Sequence, residues 1–209
     1  MGYQERTKMN TKENVKKEYN ELYKTHPTKW ADTSRSVFMA NAIKELMPAP
    51  KTIIDVGCGI GAALETMHIH FPEADLYGLD PSEEAIALAK ARVPDGTFYA
   101  EFLEDLKSKK KYDVVICLGV AEHVEDLPEF LKSLKTLIKK DGILYFEVPH
   151  NLIYSRGPKT FRRLTVGSRQ VEWHLELRDW EKKLLEAGFE IVKRYRGLKS
   201  SWEFIWVLR

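Results

Sequence analysis

Apolar residues recur at helical spacing in two early segments. Val15, Tyr19, Leu22 and Tyr23 form the first set, and Val37, Phe38, Ala42, Ile43 and Leu46 the second. The spacing predicts two helices between Thr11 and Met47, broken near His26-Pro27 and stopped by Pro48-Ala49-Pro50. Beyond Pro50 short apolar runs alternate with amphipathic stretches. Strands are predicted at Thr52–Val56, Ala74–Asp80, Thr97–Glu101, Tyr112–Leu118 and Gly142–Val148, with helices at Ile60–His68, Ser82–Arg92 and Leu127–Lys139. Strands that alternate with helices imply right-handed crossovers and a mostly parallel, doubly wound α/β sheet. The pattern lapses over 150–171 and returns as a helix at Leu177–Ala187, ended by Gly188, and two strands at Phe189–Tyr195 and Trp202–Leu208. Such a hairpin adds an antiparallel strand to the sheet.

This pattern divides the chain into a helical cap over 1–50 and an α/β domain over 51–209, with an insertion at 150–171 whose length suits a lid. With 209 residues, 44% hydrophobic and 31% charged, the chain is long enough to bury a core without a disulfide or metal staple. The net charge of +2 gives no whole-surface case for nucleic acid or membrane. No apolar run reaches the roughly 18 residues a membrane helix needs. The first twenty residues are polar, and Cys58 and Cys117 read as free thiols, which together point to the cytoplasm.

The most informative stretch is Asp55-Val-Gly57-Cys58-Gly59-Ile-Gly61, directly after the first strand and before a helix. Glycine permits a tight turn and lets a ligand come close to the backbone. Gly57, Gly59 and Ala62 also match the dinucleotide pattern, and Asp80 stands where a ribose-binding acid belongs, so a nicotinamide-dependent oxidoreductase is an alternative. Asp55 argues for a ligand with a cationic amino group, because a carboxylate there repels a pyrophosphate.

Asp55-x-Gly-x-Gly-x-Gly, Asp80 and Leu118-Gly-Val-Ala-Glu-His-Val124 together resemble the class I S-adenosylmethionine-dependent methyltransferases. The resemblance spans about residues 50–209 and implies a seven-stranded sheet with an antiparallel last strand. It implies that Asp55 orients the methionine moiety while Gly57, Cys58, Gly59 and Gly61 form the loop against it. By the same resemblance Asp80 takes the ribose hydroxyls, with Ser82 better placed as the helix cap. Pro81 lies near the adenine, Glu101 accepts from its amino group, Phe102 offers its backbone N–H, and Leu118-Gly119 lines the methionine side. Cys58 reads as a packed thiol and not a nucleophile.

The implied reaction is methyl transfer to an oxygen of a small-molecule or glycan acceptor; an RNA, nucleic-acid or protein acceptor is the alternative. His123, His150 and His174 are the candidate acid–base groups, all near the carboxyl edge of the sheet in this topology. Related families carry Glu-x-x-Glu-His where this chain has Gly119-x-x-Glu122-His123. With the first carboxylate gone, no catalytic metal is expected. Arg156, Lys159, Arg162, Arg163 and Arg169 make the insertion basic without an acid between Tyr154 and Gln170, which suits an anionic acceptor. Tyr19, Tyr23, His26, Trp30 and Arg35 mark the cap as a cover for the cofactor cleft.

Overall fold

The computed structural model describes residues 11–28, 31, 33–149, 173, 175–196 and 203–209. Helices α1 (Lys12–Thr25) and α2 (Ser34–Leu46) come first. The alternating region follows as β1 (Thr52–Val56), α3 (Ala62–His70), β2 (Asp75–Leu79), α4 (Glu83–Arg92), β3 (Thr97–Tyr99), β4 (Tyr112–Leu118), α5 (Leu127–Thr136) and β5 (Ile138–Pro149). It closes with α6 (Leu177–Glu186), β6 (Ile191–Arg196) and β7 (Glu203–Leu208).

The seven strands lie in the order β3-β2-β1-β4-β5-β7-β6. β7 runs antiparallel to both β5 and β6, and the remaining pairs are parallel. The second strand of the closing hairpin therefore wedges between β5 and β6. This is the expected doubly wound sheet with one antiparallel strand.

The pleat sends alternate side chains to opposite faces. Ile54, Val115, Cys117, Leu144, Phe146 and Trp206 meet α5 and α6 through Phe130, Leu131, Leu134, Trp180 and Leu184. Ile53, Val114, Ile116, Ile143, Tyr145 and Val207 meet α2 and α3 through Met39, Ile43, Leu64 and Met67. Burial of each large aliphatic side chain stabilises by roughly 1.5–3 kcal/mol, so two layers of this size hold the sheet between its helices.

Several boundaries differ from the sequence reading for local reasons. Gly61 caps α3 in the left-handed region (φ 78°), so that helix starts at Ala62 and not Ile60. The helix expected through Lys139 stops at Thr136, because Ile138 already pairs with Tyr112 and the Tyr112 N–H donates to Leu137 O at 2.7 Å. Lys139 is drawn onto Asp113 at 3.0 Å, and Asp113 also accepts from the backbone N–H of Lys51 and Thr52. The strand expected to reach Glu101 ends at Tyr99, and Leu103–Asp105 forms a 3-10 turn.

Candidate functional site

The turn after β1 folds back on the end of β2, with the N–H groups of Gly57 and Cys58 both donating to Leu79 O at 2.7 and 3.0 Å. Gly57, Gly59 and Gly61 all have positive φ (79°, 49° and 78°), a conformation that side-chain-bearing residues rarely adopt. What crowds these glycines is the chain itself. A methyl on Gly57 would collide with Val120, one on Gly59 would lie 2.7 Å from the Tyr23 hydroxyl, and one on Gly61 3.1 Å from Ala89. The third glycine thus lets α4 approach, while the first two are lined by side chains from after β4 and from α1.

Two buried carboxylates flank this turn. Asp80 is 6% exposed; its Oδ2 accepts from the Gly59 N–H at 3.0 Å and its Oδ1 from the Ser82 N–H at 2.9 Å. Ser82 itself caps α4, its Oγ accepting from the Ala85 N–H, as expected. Burial pushes the Asp80 carboxyl up to about 6 despite those two bonds. Asp55 is 2% exposed, and its Oδ1 has no hydrogen-bond partner among the described residues. Burial, then the Asp80 charge, pushes it up to about 7. Cys58 is buried between them and its thiol is pushed well upward by burial, the opposite of what a nucleophile needs.

Helix α1 lies along one side of this turn. Asn20 Oδ1 accepts from Ser82 Oγ at 2.7 Å, and Lys16 and Lys24 pair with Glu83 and Glu84. Lys12 pairs with Asp105 at 2.7 Å and sits 5.3 Å above the Phe102 ring. These pairs are exposed and screened by solvent, so they contribute little. The larger contribution comes from Tyr23, 5% exposed, stacked on Tyr19 at 6.5 Å, its hydroxyl pushed upward by burial and by Asp80. Pro81, Glu101 and Phe102 are partly exposed on the same side. Tyr23, expected in the cap over the cleft, and Asn20, which the sequence did not single out, join the turn from a distant helix.

On the other side, Leu118 ends β4 and Gly119 turns with φ 63°. Among the described residues, a Cβ on Gly119 would meet only Glu122 Oε1, at 3.4 Å. Glu122 is 4% exposed and its Oε1 lies 3.7 Å from His123 Nε2. Trp173 straps this turn from beyond the insertion, its N–H donating to Glu122 O and its indole N–H to Val124 O. Of the three candidate histidines, the structure brings His123 to the edge beside Gly119. His150 and His174, with Trp30 and the five basic residues of 150–171, lie outside the described residues. Among the described residues no three His, Cys, Asp or Glu side chains could hold a metal ion, and no helix is long and apolar enough to cross a membrane.

Residues 31–194 match a family model described as a methyltransferase domain. The chain is 33% identical over 122 residues to a malonyl-[acyl-carrier protein] O-methyltransferase of Bacillus anthracis, covering 57% of this chain and 43% of that one. It is 30% identical over 104 residues to a trans-aconitate 2-methyltransferase of Yersinia pestis, covering 50% and 40%. It thus spans less than half the length of these relatives. Among solved structures, magnesium protoporphyrin IX methyltransferase from Synechocystis PCC 6803, with bound S-adenosylhomocysteine, superposes with a TM-score of 0.73 at 19% identity, over 94% of this chain and 98% of that one. At that identity the likeness is one of fold. With the family model matching most of its length, the chain belongs to the family of this methyltransferase domain.

Proposed function

We propose that this protein transfers a methyl group from S-adenosylmethionine to an oxygen of a small, anionic acceptor. The observation that carries the reading is the turn after β1: three positive-φ glycines between two buried carboxylates, one of which has an oxygen with no partner among the described residues. That pair suits a ligand with an ammonium group and a diol, and repels a pyrophosphate.

In this reading Asp55 accepts from the amino group of the methionine moiety, across the backbone of Gly57, Cys58, Gly59 and Gly61. Asp80 holds the ribose hydroxyls, and Tyr23 walls the turn from above. Pro81, Glu101 and the Phe102 N–H border the adenine, and Leu118-Gly119 borders the methionine side. The cofactor supplies a sulfonium methyl, which an acceptor oxygen takes in line as the carbon–sulfur bond breaks. The protein's part is chiefly alignment, worth up to roughly 7–11 kcal/mol of barrier. Where the acceptor is a hydroxyl, His123 beside Glu122 receives its proton; a carboxylate needs no base. His150 and His174 stay candidates for the same task.

The names of two relatives, for malonyl and trans-aconitate acceptors, favour a carboxylate, as do the charges of Arg156, Lys159, Arg162, Arg163 and Arg169. The test combines calorimetry with a methyl-release assay. S-adenosylhomocysteine should bind and NAD should not, and labelled methyl should pass to trans-aconitate, a malonyl thioester or another small acid. Binding of NAD in place of S-adenosylhomocysteine would refute the reading.

A further inference from the structure

The acids inside this fold differ in what neutralises them. Glu147, 3% exposed at the carboxyl end of β5, pairs with the Arg35 guanidinium from the first turn of α2. The half-buried Asp113 pairs with Lys139. Asp55 has no such cation. The titratable groups around it are acids on every side: Asp80 from the end of β2, Tyr23 from α1, Cys58 in the turn and Cys117 on β4. Glu122, just after β4, acts on the same Cys117 thiol. Among the described residues no lysine, arginine or histidine charge acts on Asp55 or Asp80.

This placement calls for a proton. Asp55 Oδ1 is buried without a hydrogen-bond partner among the described residues. Both Asp80 oxygens are taken up by the N–H groups of Gly59 and Ser82. A carboxylate sealed in with neither donor nor countercharge is costlier than the same group protonated. Burial and the Asp80 charge accordingly push Asp55 up to about 7, while Asp80 stands at about 6. Between those values the two carboxyls hold about one proton as a pair. That proton bears on the ligand. A neutral carboxyl gives an ammonium no countercharge, and one of its oxygens carries a donor that faces another donor. The ionic contact forms only once the proton has left.

We propose that cofactor loading is proton-linked: the ammonium end of the cofactor displaces one proton from the Asp55–Asp80 pair, and that proton passes to solvent. The inference rests on the reading that this turn holds that ammonium. The exchange replaces one positive charge by another, so the acid-walled turn is never left with two bare carboxylates. Acid pH then shuts off loading and not folding, because the protonated pair suits the empty fold and excludes the ligand. Affinity should climb with pH by up to about tenfold per unit toward pH 7, and level off above it.

The test is calorimetric titration of the wild type with S-adenosylhomocysteine at pH 6, in buffers of different ionisation enthalpy. The dependence of the observed heat on the buffer counts the protons released. At pH 6 the ligand's own amino group, ordinarily near about 7.7–8.0, is already charged, so the released proton comes from the protein. The wild type should release about one proton for each ligand bound. Asp55→Asn, which does not titrate at this position, should release less than half as much, and its affinity should vary less between pH 5 and 8. Should the variant bind too weakly to titrate, the wild-type count and pH slope decide alone. No release by the wild type at pH 6, with affinity flat from pH 5 to 8, overturns the proposal. Full release retained in Asp55→Asn overturns it equally. A wild type that binds no S-adenosylhomocysteine at any pH would instead remove the cofactor reading itself.

Discussion

Replacing Asp55 by asparagine should make the ligand-free protein more stable and the cofactor bind worse. Burial and the neighbouring Asp80 charge raise the Asp55 carboxyl from its ordinary 3.8 to about 7. A group whose folded pKa is raised stabilises the fold below its unfolded pKa, and that contribution drains away as pH climbs through the folded value. For Asp55 the window is about pH 4 to 7. At about 1.36 kcal/mol per pH unit, the full change is at most about 4 kcal/mol. Near pH 8 the ligand-free wild type therefore carries most of that cost, and the amide variant, which does not titrate at this position, carries none. At roughly 2–4 °C per kcal/mol for a chain of this size, Asp55→Asn should melt on the order of 10 °C higher at pH 8. The gap should shrink steadily toward pH 4. Asp80, raised to about 6, stays in both proteins, so a shallower slope persists in the variant. The assay is thermal unfolding from pH 4 to 8, with and without S-adenosylhomocysteine. An ammonium beside Asp55 favours the ionised form, so saturating ligand should narrow the gap, and the variant should bind it more weakly. A variant that melts no higher than wild type at pH 8, with the same pH slope, would refute the argument that this carboxylate is held at a cost for its ligand.

Further expectations concern the same turn and its edges. Asp80→Ala removes the acceptor of the Gly59 and Ser82 N–H groups; calorimetry should show cofactor affinity lower by about 1.5–3 kcal/mol, and unchanged affinity would exclude the ribose role. Gly59→Ala forces a methyl toward the Tyr23 hydroxyl at 2.7 Å in a left-handed conformation, and chemical denaturation should show a loss of about 1–3 kcal/mol, partly relieved by Tyr23→Phe. His123→Gln should slow methyl transfer to a hydroxyl acceptor while leaving S-adenosylhomocysteine affinity within error; equal turnover in the variant would shift the proton-accepting role away from this residue.

What the sequence revealed about this site followed the range of the forces involved. The glycine turn, Asp55 and Asp80 were legible because their signal is local: a strand, three alternating glycines and an acid at the end of the next strand. The mostly parallel sheet and its one antiparallel strand could be anticipated from the alternation and the closing hairpin, whereas the insertion of β7 between β5 and β6 could not. The end of α5 was not, since the pattern continues through Leu137 and Ile138; the bridge to Tyr112 and the Asp113–Lys139 pair, 26 residues apart, overrule it. Tyr23 over Gly59 and Arg35 on Glu147 join positions 36 and 112 residues apart, and no periodicity encodes such a meeting. The single charge in the apolar run Ile143–Val148 was a usable hint. A lone acid in a fully buried strand is rare unless something pairs with it, and Glu147 is that acid.

The wedge of β7 between β5 and β6 has a consequence for biosynthesis. Ribosomes add roughly 5–20 residues each second, and β1 through β5 can associate as they emerge. β6 cannot, because among the described strands its one neighbour is β7. Until Glu203–Leu208 has cleared the exit tunnel, the nascent protein displays an open strand edge at β5 and leaves the half of its core around Trp206 unfilled. That interval is when a chaperone would have most to bind, and a stop codon before position 203 should yield a product destined for degradation.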